Sequence, residues 1–369
     1  MTKVGIGSAY KEIDKIWVGI GGAWKEVDKA WVGIGGVWKE MDGLSKLLKY
    51  LGTITPLQTP RWDMGFANVG NYLLFAGGAT ASSLGQESDV VEAYNTSAVR
   101  SNVTSLTNRG LAKGASIGNV AIIASGYAYS GAKDTVDSYN ASLTKGTATP
   151  LSEARPIVSA GTDVYALFVT GTAYSDSVLD AYNTSLVRST KAGLSANRQG
   201  ISGTDTKNYT LFGGGAYSAG NYPTVVDAFN NSLIRSNPTG FSVARESYAA
   251  ARVGNFAIFA GGQNGSTRYA TVDAYNDSLT KVSIANLLQA TARLRGISSD
   301  YYALFAGGVV AGSPCVAYDS SLVRTNPPNI TGTRYDLTGG LVGNYMLFAG
   351  GLNTSGNAVS GVVDAYILE

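Results

Sequence analysis

Residues 71–78, NYLLFAGG, constrain the fold of this chain more than any other stretch, because the pattern returns along the sequence. An apolar run stops at a glycine pair, or its remnant, seven times, ending at Gly78, Gly126, Gly171, Gly214, Gly262, Gly308 and Gly351. Successive endpoints lie 48, 45, 43, 48, 46 and 43 residues apart. A unit of that length, built from short β-rich pieces, buries its apolar faces by stacking on copies of itself, and closing the stack into a ring leaves few exposed edges. The period therefore predicts an all-β chain: a seven-bladed β-propeller with four-stranded blades.

The rest of each repeat supplies the remaining strands. In the fourth repeat, strand A starts near Arg198, and strands B, C and D fall at 209–214, 225–230 and 233–235. The C segment recurs as VEAYN, VDSYN, LDAYN, VDAFN, VDAYN, VAYD and VDAY, and a tight Asn-x-Ser turn usually leads into D. An acid in C and a base in D keep a constant spacing: Glu92 and Arg100, Asp137 and Lys145, Asp180 and Arg188, Asp227 and Arg235, Asp273 and Lys281. With the turn centred between them, the partners are expected directly cross-strand. The sixth repeat breaks the rule, with Val316 in the acid position. The seventh lacks a D segment. Residues 46–53 are its expected donor, with Lys49 opposite Asp364, so that an N-terminal strand closes the ring. Deleting residues 46–55 should then lower the melting temperature sharply, and an unchanged melt refutes the closure.

Composition narrows the chemistry. The 369 residues include no histidine and one cysteine, Cys315, which removes Ser-His-Asp and Cys-His catalysis, histidine metal sites and any internal disulfide. A net charge of +2 argues against charge-driven binding to nucleic acid, and no apolar run reaches membrane-spanning length. The N-terminus lacks the apolar core of a secretory signal. That predicts synthesis in a host cytoplasm, then either retention there or release within a particle.

The first 45 residues repeat on a shorter period. KVGIGSAYKEID, WVGIGGAWKEVD and WVGIGGVWKEMD each read as a β-hairpin, with Trp17, Trp24, Trp31 and Trp38 among them. Hairpins of this size cannot bury four indoles alone. Residues 1–45 are therefore expected to form an assembly or docking module, followed by the propeller at 46–369. These units resemble short VGxGG…K-E repeats near the N-termini of phage and prophage tail proteins, which implies a place in a virion tail and partners among other tail proteins or copies of the chain itself.

The longer repeats resemble the kelch family over about 320 residues, in the di-glycine after strand B and the tyrosine near the end of strand C. The tryptophan that kelch repeats carry six residues after that tyrosine is replaced by Arg100, Lys145, Arg188, Arg235, Lys281 and Arg324. Galactose-oxidase-like copper chemistry, found among kelch relatives, needs histidine. The Ser-x-Asp-x-Gly-x-x-Trp turns of sialidases are absent too. A glycosidase remains open through the loop acids Glu87, Asp89, Asp134 and Asp176, because two carboxylates suffice for that reaction. An arginine at the start of each strand A (Arg61, Arg109, Arg155, Arg198, Arg245, Arg293 and Arg334) could attract an anion, although its repetition favours a structural role.

Binding is the stronger expectation. In a four-stranded blade the B–C and D–A loops emerge on one face, and the B–C loops vary most and are rich in Tyr, Ser, Asn and Gly. Tyr127, Tyr129, Tyr174, Tyr217, Tyr222, Asn264, Arg268 and Tyr269 are the expected ligand contacts. No catalytic residue, metal ligand, cofactor or membrane insertion is predicted. The expected function is non-enzymatic attachment of a phage or prophage tail to a cell-surface receptor, a glycan or a protein. The alternatives are an intracellular kelch-type scaffold and a surface glycosidase.

Overall fold

The structure is a computed structural model that describes residues 3–6, 9–12, 17–20, 23–26, 31–34, 37–40, 46–83, 85–108, 110–127, 131–162, 164–171, 177–217, 220–355 and 357–369. It divides into two units, residues 1–47 with Glu369, and 48–368.

The first unit contains three two-stranded antiparallel hairpins, Lys3–Ile6 with Ala9–Glu12, Trp17–Ile20 with Ala23–Glu26, and Trp31–Ile34 with Val37–Glu40. Their registers repeat, so that Gly19 faces Trp24 as Gly33 faces Trp38.

The second unit is a seven-bladed β-propeller of four-stranded antiparallel sheets. Strand A runs Gly65–Val69, Leu111–Ile117, Ile157–Gly161, Gly203–Asp205, Ala249–Val253, Leu294–Ile297 and Thr338–Val342 in blades 1 to 7. Each A strand touches the next, and blade 7 touches blade 1, so the inner strands form a closed ring. Between adjacent blades lies one apolar cluster, seven in all. Burial is thus divided into near-equivalent interfaces, the arrangement that makes repeat proteins a sum of neighbour contacts.

The glycine pair explains why the sequence must repeat it. In blade 5, Gly261 and Gly262 have φ of 70° and 105°, a region where only glycine is comfortable. A side chain on Gly262 would place its Cβ 2.7 Å from the Glu246 carbonyl, and one on Gly261 would lie 2.8 Å from the Thr291 carbonyl of the next blade. The Gly262 amide also donates to that Thr291 carbonyl at 2.8 Å. The pair is a turn and a blade-to-blade joint at once. The strand C tyrosine makes a second joint: Tyr94 Oη donates to the Thr55 carbonyl, Tyr139 to Thr104, Tyr182 to Thr149 and Tyr275 to Thr239, each at 2.8 Å. Each hydroxyl thereby holds the segment that enters its own blade. In blade 4, Phe229 has no hydroxyl to do so.

Closure by an N-terminal strand is present. Leu48–Ile54 pairs antiparallel with Val363–Leu368 as the fourth strand of blade 7. The register differs from expectation. Thr53 lies opposite Asp364, while Lys49 faces Ile367. An irregularity at Ala365/Tyr366, beside Gly52 with φ 88°, shifts the pairing and brings Tyr50 Oη to Asp364 at 2.6 Å.

The charge ladder differs in a second way. Arg100 sits opposite Tyr94, not Glu92, so the acid and the outer base are diagonal neighbours. Their separations are 3.7 Å in blade 1, 3.3 Å in blade 2, 3.7 Å in blades 3 and 4, and 3.6 Å in blade 5. The close partner of the acid is the arginine that precedes strand A: Arg61–Glu92 at 2.5 Å, Arg155–Asp180 and Arg198–Asp227 at 2.7 Å, Arg245–Asp273 at 2.8 Å, and Arg334–Asp364. The two sets of cations, separate in the sequence, converge on one buried carboxylate. Arg61 Nη1 also donates to the carbonyls of Gly77 and Val90, both at 2.7 Å, so the guanidinium clamps the end of strand B to the start of strand C.

Arg293 does not belong to this set. In blade 6 the clamp position holds Thr291, as the matching amide contacts show: Gly262 N donates to Thr291 O where Gly215 N donates to Arg245 O and Gly351 N to Arg61 O. Blade 6 thus lacks the clamp arginine and the clamp acid together, Val316 being buried in the acid's place. In blade 2 the matching amide, Gly78 N, donates to Gly110 O, and Asp137 accepts from Thr107 N and Oγ1.

Candidate functional site

Two residues after the clamp position the chain turns left-handed. Asp63, Gly200, Ser247, Arg293 and Asp336 have φ of 49°, 65°, 54°, 60° and 51°. Backbone bonds link them blade to blade: Ser247 N to Gly200 O at 2.8 Å, Arg293 N to Ser247 O at 2.7 Å, Asp336 N to Arg293 O at 3.1 Å and Asp63 N to Asp336 O at 3.0 Å. This arc, spanning blades 4 to 7 and blade 1, stands where the A strands begin. The B–C loops emerge on that same face, because strand B runs antiparallel to A and ends there.

The A strands enclose a cavity of about 610 Å³ on the ring axis, lined by residues of all seven blades. Such a volume suits a small ligand. Its polar hydroxyls are largely committed to the neighbouring blade: Ser116 Oγ accepts from Asn68 N at 2.7 Å, Ser159 Oγ donates to Gly114 O at 2.7 Å, and Ser298 Oγ accepts from Arg252 N at 2.8 Å. Its charged groups are Asp63, Lys113, Asp205, Arg252 and Arg295. Lys113 meets Asp63 at 2.6 Å, and Arg252 lies 3.2 Å from Asp205 and 2.8 Å from Asp300. At the rim, Arg293 pairs with Asp336 and stacks over the Tyr335 ring at 4.3 Å. Burial holds the Asp336 carboxyl above the usual carboxylate range, an effect that Arg293 offsets in part. Under the blade-5 loop, burial likewise raises the half-buried Glu246, against a hydrogen bond from Gln263.

Of the expected contact residues, those of blades 4 and 5 come together. Tyr222 Oη accepts the Gly265 amide at 3.1 Å, joining the two B–C loops. Tyr217 N donates to Asn221 O at 2.9 Å within its own loop. The blade-5 loop is a small hairpin in which Gln263 pairs with Arg268 and Asn264 with Thr267. Tyr269 is pinned at its foot, its amide donating to Gly262 O at 2.9 Å and its carbonyl accepting from Thr291 N at 3.2 Å. Arg268 is exposed, and Tyr217, Tyr222, Asn264 and Tyr269 are half-buried. Tyr127 ends the blade-2 strand Val120–Tyr127, and its side chain lies outside the description. Tyr129 and Tyr174 lie outside the described residues, as do Arg109 and Asp176.

Among the other loop acids, Glu87 Oε1 accepts the Gly85 amide at 3.1 Å within its own loop. No group of three or more His, Cys, Asp or Glu side chains placed to hold a metal occurs among the described residues. Cys315 is buried, its Sγ 3.0 Å from Tyr366 Oη, and burial pushes its thiol up to about 11, away from nucleophilic use at neutral pH.

Sequence reasoning missed the axial group. Arg295 pairs in its blade with Ala306, and the matching ladder positions elsewhere hold Gly65, Lys113, Val158, Ala249 and Thr338. A long cation in a column of mostly small or uncharged residues was the available signal. Arg293, two residues earlier, masked it by resembling the repeated arginine.

No protein-family model matches the chain, and no curated protein sequence matches it.

Proposed function

We propose that the propeller is a non-enzymatic recognition module of a phage or prophage tail, binding a cell-surface receptor, a glycan in the first place, through its B–C face. The observation that carries the reading is the bond between the loops of blades 4 and 5, where the Tyr222 hydroxyl receives the Gly265 amide. A loop surface fixed before the ligand arrives loses less conformational entropy on binding. Aromatic rings held among Ser, Asn and Gly offer flat apolar faces for sugar rings and amides for their hydroxyls. The short N-terminal hairpins resemble tail-protein repeats and supply the docking end of the reading, toward other tail proteins or copies of the chain. The kelch-like repeat pattern belongs to the same reading as a description of the blades.

Binding of the full chain to a glycan array and to intact bacterial cells tests the proposal. Tyr217→Ala and Tyr222→Ala should each weaken binding about tenfold or more, as expected for aromatic anchors at the centre of an interface. A chain that binds neither glycans nor cells removes the receptor reading. Tail genes adjacent to its own are the expected genomic setting.

A further inference from the structure

We propose that the axial cavity is an anion site, in which Arg295 receives the carboxylate of a small ligand entering from the B–C face.

The ion pairs of the cavity leave one cation out. Asp63 is held by Lys113, Asp205 and Asp300 share Arg252, and at the rim Asp336 is held by Arg293. Arg295 is the cation with no carboxylate in contact. Its side chain makes no hydrogen bond and no ion pair with any described residue, and its Nε is a buried donor without a partner. Its guanidinium lies instead over the Phe66 ring at 4.4 Å, reaching past blade 7 to blade 1. The intervening strand permits this because it carries Gly339 and Gly340 there; a Cβ on Gly340 would sit 3.0 Å from Phe66 Cδ2.

A guanidinium held over an aromatic face by cation–π attraction spends none of its N–H donors on that contact, which leaves them for an oxyanion. Burial pushes its pKa down to about 10, with Asp63 opposing, so it remains charged at neutral pH and cannot relieve its isolation by losing a proton. A half-buried charge without a partner is partly stripped of water, and a bound anion offsets that cost. A carboxylate matches the planar fork in both number and spacing of acceptors. The cavity, at about 610 Å³, is large enough for a sugar-sized body behind that group. Such a carboxylate can arrive on a free small molecule or on an acidic sugar of a glycan.

Thermal melting of the full chain with sodium glucuronate, against sodium chloride at equal ionic strength, tests the site. Glucuronate should raise the melting temperature, and the uncharged methyl ester should not. Arg295→Met, close in volume and able to keep the contact with Phe66, should weaken glucuronate binding by about tenfold or more. It should also melt no lower than the parent chain without ligand, because it removes an unpaired, half-buried charge. Asp63→Asn gives the opposite sign. Asparagine tolerates the left-handed φ at this position, and the change removes the Asp63 carboxylate whose charge acts on Arg295 and that Lys113 now neutralises, so glucuronate should bind more tightly. An equal shift by the methyl ester, undiminished binding in Arg295→Met, or no gain in Asp63→Asn would each overturn the assignment.

An oligosaccharide ending in glucuronate separates the two sources of the carboxylate. Binding tighter than free glucuronate, and lost in Tyr222→Ala, assigns the site to a glycan. Binding of free glucuronate alone retains the anion site and removes the glycan part of the functional reading.

Discussion

Blades 5 and 6 solve the same packing problem by opposite means. Blade 5 buries Arg245 and Asp273 at 2.8 Å, with Lys281 behind the acid at 3.6 Å. Blade 6 puts Thr291 and Val316 in those places and is closed just as well, with Val316 in the apolar cluster shared with blade 5. A buried ion pair can be replaced as a unit, whereas half of one cannot be left behind, because the survivor is a charge stripped of both water and partner. The neighbouring repeats of one chain have thus performed a double substitution and kept the fold.

The largest effect should come from breaking the clamp on one side. Asp273→Ala, which leaves Arg245 buried without its carboxylate, should cost about 3–5 kcal/mol, read from denaturant unfolding. Converting blade 5 to the blade-6 solution with Arg245→Thr and Asp273→Val should cost far less than the sum of the two single changes. A double-mutant cycle that proved additive would break the comparison. The reverse graft sharpens it: Val316→Asp alone should destabilise blade 6, and adding Thr291→Arg should recover most of the loss. Next in size is Gly262→Ala, where positive φ and a 2.7 Å approach to the Glu246 carbonyl should cost about 1–3 kcal/mol in either kind of blade. A much larger penalty there would show that the joint, not the clamp, dominates the interface.

Acid should produce the smallest and most selective effect. Asp180 is opposed by burial, but hydrogen bonds from the Ser152 amide, Arg155 and Thr190 outweigh it and hold its carboxyl below the ordinary 3.8. A depressed folded pKa means that its contribution is complete above the ordinary, unfolded value and is lost as pH falls from there through the lower folded one. Hydrogen exchange below pH 3.8 should therefore open blade 3 before blade 6. Simultaneous opening would assign acid sensitivity to the ring as a whole.

The periodic parts of this molecule were legible in its sequence, and the singular parts were not. The seven glycine endpoints gave blade number, strand order and the closing N-terminal strand, because each repeat had to meet the same backbone demands. The closing register was hidden because an irregularity beside Gly52 shifts this C–D pairing, while the C–D pairings of the other blades run without a shift over their described residues. Arg293 was misplaced for a related reason. Spacing alone does not reveal that blade 6 had exchanged its clamp for Thr291 and that the visible arginine occupied the left-handed position beyond it. Of the ligand face, the loop composition was readable, but the contact between Tyr222 and Gly265 depends on two blades meeting at an angle. The Arg295 cavity depends on seven strands converging on an axis, and no local window of sequence contains that geometry.

The closing strand also sets an order of events during synthesis. Tyr50 emerges early, yet the carboxylate that its hydroxyl binds belongs to Asp364, 314 residues downstream. Until that partner is made, Leu48–Ile54 is a strand without a sheet, and blade 7 has an open edge facing whatever else is nascent nearby. The ring can gather its blades one after another, but it locks only when the last strand reaches the first, so the earliest part of the propeller to be made is among the last to be secured.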